Sequence, residues 1–161
     1  MTVFVCSLSA GVDQLIQPGV YTLLRFPFEE DQWDVWGMHQ PAQPDGTLAV
    51  SGEDRSGLIW PHVHGWGSFT GHVQMEAGSY SEVRTQFVRD PLGLGDDPMN
   101  ATGVAHWAPS PGMQFLPPHH EFAVYPGVPV GLMVRHNDRV PRKVTYAQFK
   151  LAIHPIATQE S

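Results

Sequence analysis

Val128-Pro129-Val130-Gly131-Leu132-Met133-Val134-Arg135-His136 and, after Asn137-Asp138-Arg139, Thr145-Tyr146-Ala147-Gln148-Phe149-Lys150-Leu151-Ala152-Ile153 decide the fold class. In the first run one parity reads Val, Val, Leu, Val, His and the other Pro, Gly, Met, Arg. In the second, Thr145, Ala147, Phe149, Leu151 and Ile153 share a side. A repeat of two over that length marks strands with one buried face, because successive side chains of an extended chain point to opposite sides. The spacing predicts two strands joined by a tight turn.

Outward from there the same habit recurs. Trp66 to Glu76 puts Phe69, Val73 and Met75 on one parity and Thr70, His72, Gln74 and Glu76 on the other. Tyr80 to Arg89 turns Val83 and Phe87 inward. Shorter strands are expected at Val3–Leu8, Tyr21–Phe28, Gln32–Met38, Leu58–Pro61, Ala101–Trp107, Met113–Leu116 and Phe122–Tyr125. The 15 Pro and 16 Gly fall between these runs, as turns demand, with long loops over 40–57 and 90–98. Apart from the N-terminal arm, that makes about nine or ten strands and no helix of three turns. Short antiparallel strands in such number close into a barrel or pack as a sandwich, and the count and spacing favour an all-β jelly-roll sandwich. Residues 1–20 read as an N-terminal arm or edge strand, and 21–161 as one jelly-roll domain.

Nine Lys and Arg against 16 Asp and Glu give a formal charge of −7. No basic cluster could displace counterions from a duplex, so nucleic acid is not an expected partner. Charged residues make up only 16% of the chain, low for the surface of a free monomer, and this points to surface hidden against other subunits. The single Cys6 excludes an internal disulfide and reads as a small buried side chain in an edge strand. The apolar start has no basic residue before Arg25, which argues against a signal peptide, and no apolar run reaches membrane-spanning length.

From about Gly57 the order of strands and turns resembles the C1q/tumour-necrosis-factor-like jelly roll. Ser56-Gly57-Leu58-Ile59-Trp60-Pro61-His62-Val63-His64-Gly65-Trp66-Gly67-Ser68-Phe69 is similar to that family's apolar pair, Pro, Gly and aromatic strand, with Trp66 and Phe69 near the aromatic positions. Phe122-Ala123-Val124-Tyr125-Pro126-Gly127-Val128-Pro129-Val130-Gly131-Leu132-Met133-Val134 resembles its late hairpin, with Val128 where an Asp is usual. Tyr146 to Ile153 looks like its last core strand, and the likeness spans about 20–155. Similar domains occur in secreted trimeric ligands and in virion proteins of tailed phages of actinobacteria. The resemblance implies a homotrimer without catalytic residues or cofactor. With no signal and no disulfide, the phage case fits better: a virion protein folded in the host cytoplasm.

The residues also offer chemistry to weigh. His62-x-His64, with His136 and also His72, His119 or His120, has the ligand type for a transition metal. A cupin pattern fails on spacing: Gly57 is one residue too close to His62, Ser68 or Phe69 stands at the Glu position, and His136 falls two residues late after Pro129-Val130-Gly131. Histidines filling turns and interfaces are the plainer reading. Asp96-Asp97 and Glu53-Asp54 could hold calcium, but solvated loop charge explains them as well. No Gly-x-Ser-x-Gly elbow is present. Flat aromatic faces bind sugar rings, and Trp33 and Trp36, beside polar loops, are the candidates for a host cell-surface glycan; core or interface packing is the alternative. Pro117-Pro118-His119-His120 reads as a rigid crossover loop that could form a receptor tip.

The first expectation is therefore a trimeric minor tail protein at a tail tip or fibre, bound to other virion proteins and touching the host surface. A head decoration protein at capsid three-folds is the alternative, and a cupin-like metalloenzyme the alternative of a different class.

Overall fold

The computed structural model describes residues 2–29, 32–95, 100–107 and 114–157. Ten strands run through them: β1 (Phe4–Ala10), β2 (Gln14–Ile16), β3 (Thr22–Leu23), β4 (Gly65–Met75), β5 (Val83–Arg89), β6 (Asn100–Trp107), β7 (Gln114–Leu116), β8 (His119–Val124), β9 (Val130–His136) and β10 (Arg142–Pro155). Among the described residues the helical content is one 3-10 turn, Asp54–Gly57. Six strands form one antiparallel sheet in the order β1-β10-β4-β7, with β2 also on β10 and β8 also on β4. The other sheet runs β3-β9-β5-β6. The protein is an all-β sandwich of two antiparallel sheets, as the alternation predicts.

The core lies between the sheets and is built on phenylalanine. Phe69 (β4), Phe87 (β5) and Phe149 (β10) are buried, with ring centroids 5.3 Å apart for Phe69–Phe87 and 5.9 Å for Phe87–Phe149. Such rings contribute their buried area and a further ~0.5–1.5 kcal/mol per well-placed pair. Gly67 makes room for them: a Cβ there would lie 2.9 Å from both the Phe69 ring and Val124.

Four local expectations are corrected. The two deciding strands, β9 and β10, do not form a hairpin but sit in opposite sheets. The link between them is held by Asp138, whose carboxylate accepts from Ser79 N, Arg139 N and Arg142 Nε, so the chain crosses the sandwich. β8 and β9, read as a late hairpin, divide between the sheets in the same way. Within β10 a bulge between Val144 and Tyr146 resets the parity. Val144 is therefore the buried residue, and Thr145 bonds the Gln74 carbonyl instead.

The fourth correction concerns Gln32–Met38, expected as a strand. It pairs only through Trp33, which exchanges two backbone bonds with Ser7 at 2.8 and 2.9 Å. Asp34 then draws the chain into a turn by accepting from Met38 N and His39 N, and Gly37 takes a φ of 67°. The 40–57 stretch is a loop, as expected, apart from the Ala42–Leu48 bridge and the Asp54–Gly57 turn. Residues Leu58 and Trp60, just beyond it, pack with Leu23, Val88 and Met133 against the outer side of the four-stranded sheet.

Candidate interaction face

Alternation in the six-stranded sheet sends Phe69, Val73, Phe149 and Leu151 inward and their neighbours outward. Register lines up those outward neighbours across the sheet: Glu121 with Ser68, His119 with Thr70, Thr70 with Lys150, Ser68 with Ala152 and Ala152 with Val5. His72 stands between Phe115 and Tyr146, with ring centroids 5.9 and 5.8 Å away. Trp33, Phe115 and Trp66 are 61%, 59% and 44% exposed, so their rings meet water in a single chain. From Trp66 to Gln74 and from Tyr146 to His154, with the strands beside them, the formal charges among the described residues are Lys150 and Glu121. Glu121 also accepts the Ser68 hydroxyl at 2.9 Å. A half-apolar sheet face this poor in charge is unusual for solvent and usual for a buried contact.

Beside β1 the face dips into a shallow groove of about 280 Å³, lined by Ser7, Leu8, Ser9, Gln32, Trp33, Tyr146 and Gln148. A second concavity of about 320 Å³, next to β2 and β3, contains Arg25. That guanidinium is paired with Asp54 at 2.9 Å, the Gln14 side chain ties the Arg25 backbone, and the other charge in the lining, Asp13, faces Lys143 at 3.8 Å.

The histidines weighed as metal ligands are dispersed. His62 lies 5.5 Å from the Phe4 ring and 6.0 Å from Trp36, while His64 stacks on Tyr125 at 4.8 Å. His136 is buried; its Nε2 donates to Ile16 O at 2.8 Å and its Nδ1 accepts from Asp138 N, so both nitrogens are committed to the fold. Among the described residues no group of three or more His, Cys, Asp or Glu side chains could hold a metal ion. Glu53 accepts Val50 N and Asp54 binds Arg25, a structural use of both carboxylates; Asp96 and Asp97 lie outside the described residues. Cys6 is buried, and burial first, with Asp34 behind it, pushes its thiol far up, which leaves it inert.

His119 and His120 belong to β8, which corrects their placement in a crossover loop; the loop is only Pro117-Pro118. His119 is exposed, and both line a cleft of about 160 Å³ with Thr85, Gln86 and Phe87. Trp33 and Trp36 do not form one platform. Trp36 packs 4.5 Å from Phe4 beside His62, whereas Trp33 stands over the groove beside β1. Phe115 and Tyr146 had no place in the sequence-based site and His72 entered it only as a metal-ligand candidate, although the even parity of β4 already set Thr70, His72 and Gln74 apart from the core.

No family model matches the chain, and no curated protein matches it. Among solved structures it is similar to the tumour necrosis factor Eiger from S. frugiperda (TM-score 0.61, 7% identity, 99% of this chain and 97% of that one). It is also similar to the globular domain of zebrafish complement 1qA protein (TM-score 0.59, 12%, covering 94% and 97%) and to murine APRIL (0.56, 8%, covering 95% and 100%). The fold is the C1q/TNF-like jelly roll. At identities this low the likeness concerns architecture, which agrees with the order of strands the sequence resembles.

Proposed function

We propose that the protein is an assembly subunit that closes a homotrimer through the outward face of its six-stranded sheet, working by binding rather than by turnover. The observation that carries this reading is the face itself: Trp66, Phe115 and His72 on the outward side of the sheet, where from Trp66 to Gln74 and from Tyr146 to His154, with the strands beside them, the formal charges among the described residues are Lys150 and Glu121. Left in water, such a face is a liability; buried against copies of the same chain in closed symmetry, it is satisfied without exposing a new patch. Lys150 lies on a central strand and Glu121 on an edge strand, so a head-to-tail ring brings opposite charges towards each other. The C1q/TNF-like fold favours three copies.

We place the trimer in a phage particle, as a minor tail protein at the tail tip or fibre base that touches the host envelope. Head decoration is the second placement. The resemblance to virion domains supports this, as does a chain with one buried cysteine and hence no internal disulfide. Light scattering on the eluting native protein tests the assembly: a mass near three times 17.8 kDa is expected, and a monomer at micromolar concentration overturns it. Antibody labelling of purified particles tests the placement: label at tail ends supports the first reading, label over the capsid the second, and label on neither removes both.

A further inference from the structure

The groove beside β1 differs from the rest of the face in chemistry. It is lined by the Trp33 indole, 61% exposed, on a backbone bonded twice to Ser7. Tyr146 also lines it, and its hydroxyl accepts the Gln148 amide at 2.8 Å. That bond leaves the Tyr146 proton free to donate and the Gln148 carbonyl free to accept. The Ser7 hydroxyl bonds no other described residue. Gln32, at the far end, is committed to His39 through both its amide atoms. A flat aromatic wall over hydroxyl and amide groups, with no formal charge in the lining, is the complement of a neutral sugar ring. The ring's C–H face lies on an indole, and its hydroxyls both donate and accept.

We infer that this groove binds one neutral pyranose unit, with Trp33 as the stacking platform and Ser7, Tyr146 and Gln148 as the hydroxyl-reading groups. An apolar knob from another protein would leave those polar groups buried and unpaired, which a sugar does not. At about 280 Å³ the groove falls short of the roughly 300–1,000 Å³ of drug-sized sites, and this limits the ligand to about a single ring. Lys150 stands opposite Ser7 in the register but does not line the groove, so the class is neutral rather than acidic. The inference deepens the envelope-contact part of the proposed function and rests on it for the source of the sugar. Three such grooves per trimer would raise a weak single-site affinity through multivalency.

The test is a titration of the native protein with methyl glycosides of glucose, galactose, mannose and N-acetylglucosamine, and with glucuronic acid, followed by the backbone N–H signal of Gln148 in the groove lining. A saturable shift with at least one neutral glycoside is expected, lost in Trp33→Ala, weakened severalfold in Tyr146→Phe, which removes one oxygen, and kept in Trp36→Ala. Several results overturn the inference: no neutral glycoside shifts the signal at tens of millimolar, Trp33→Ala binds as the native protein does, or glucuronic acid binds about tenfold tighter than every neutral glycoside. If Trp33→Ala instead loses its trimer mass, the groove belongs to a neighbouring copy and the sugar assignment falls. A monomer that binds sugar keeps this inference and removes the assembly reading, and a trimer that binds none does the reverse.

Discussion

Ala152→Glu separates a face that meets water from one that meets another subunit. Ala152 lies half-buried on the outward side of β10, between Lys150 and His154 and flanked in register by Val5 and Ser68. In a single chain a glutamate here reaches water and has Lys150 two residues away, so folding stability changes by no more than about 0.5 kcal/mol. In the trimer the same carboxylate is buried without a partner, which costs about 3 kcal/mol per subunit. Over three subunits that is ~9 kcal/mol, a drop of about a millionfold in the association constant of the ring. Ala152→Arg guards against rescue by Lys150, since it adds like charge to a site beside Lys150. Mass by light scattering at micromolar protein reads assembly, and thermal melting followed by circular dichroism reads the fold. Both variants should be monomers that melt close to the unassembled native chain. A trimeric Ala152→Glu protein with unchanged melting would refute the assignment of this face as the interface.

Three further outcomes are expected. Burial, the dominant cause, holds His39 below its ordinary value, against the pull of the Ser56 carbonyl and Asp34. The folded state thus disfavours the proton: its stability is present above the unfolded value of about 6.5 and is lost as pH falls from there through the lowered value. Melting temperature should drop over that window, and His39→Gln should flatten the drop; an equal slope in the variant rejects His39 as its source. Asp138 is pulled down to about 2, first by its bond to Arg142, so the stability it adds is present above about 3.8 and lost as pH falls from 3.8 towards about 2. Asp138→Asn should lower the melting temperature at neutral pH and remove that acid limb, and an unchanged acid titration of stability would contradict it. Gly57→Ala would set a Cβ 2.2 Å from the Leu24 carbonyl and 2.9 Å from Leu23 Cγ, so it should cost about 1–3 kcal/mol in denaturant unfolding. Gly11→Ala, with open space around the new carbon, is the control.

What could be read without coordinates follows from where the information sits. The buried parity of β9 is local: Val130, Leu132 and Val134 alternate because the strand has two unlike sides, and any window over them shows it. Even so, alternation does not say which sheet a strand joins. The short link over Asn137-Asp138-Arg139 looks like a hairpin turn, yet Asp138 spends its carboxylate on Ser79, far back in the chain, and this bond belongs to the crossing. The loss of Gln32–Met38 as a strand has the same origin. Its alternation is real, but Asp34 offers the backbone nitrogens of Met38 and His39 a closer partner than any neighbouring strand does.

The candidate face was illegible for a further reason. Its members come from β1, β4, β7, β8 and β10, and their meeting depends on register: His72 opposite Gln148, Phe115 opposite Gln74, Ser7 opposite Lys150. No spacing within one strand encodes a cross-strand neighbour. The composition nevertheless carried its shadow, since a chain with 16% charged residues and five tryptophans must put aromatic surface somewhere. The core takes Trp60 and partly takes Trp107; Trp33 and Trp66 remain outward on the same sheet. That surplus, more than any single motif, is what the proposed trimer and its groove would cover, and it is why the charge placed at Ala152 tests more about this protein than any substitution in its core.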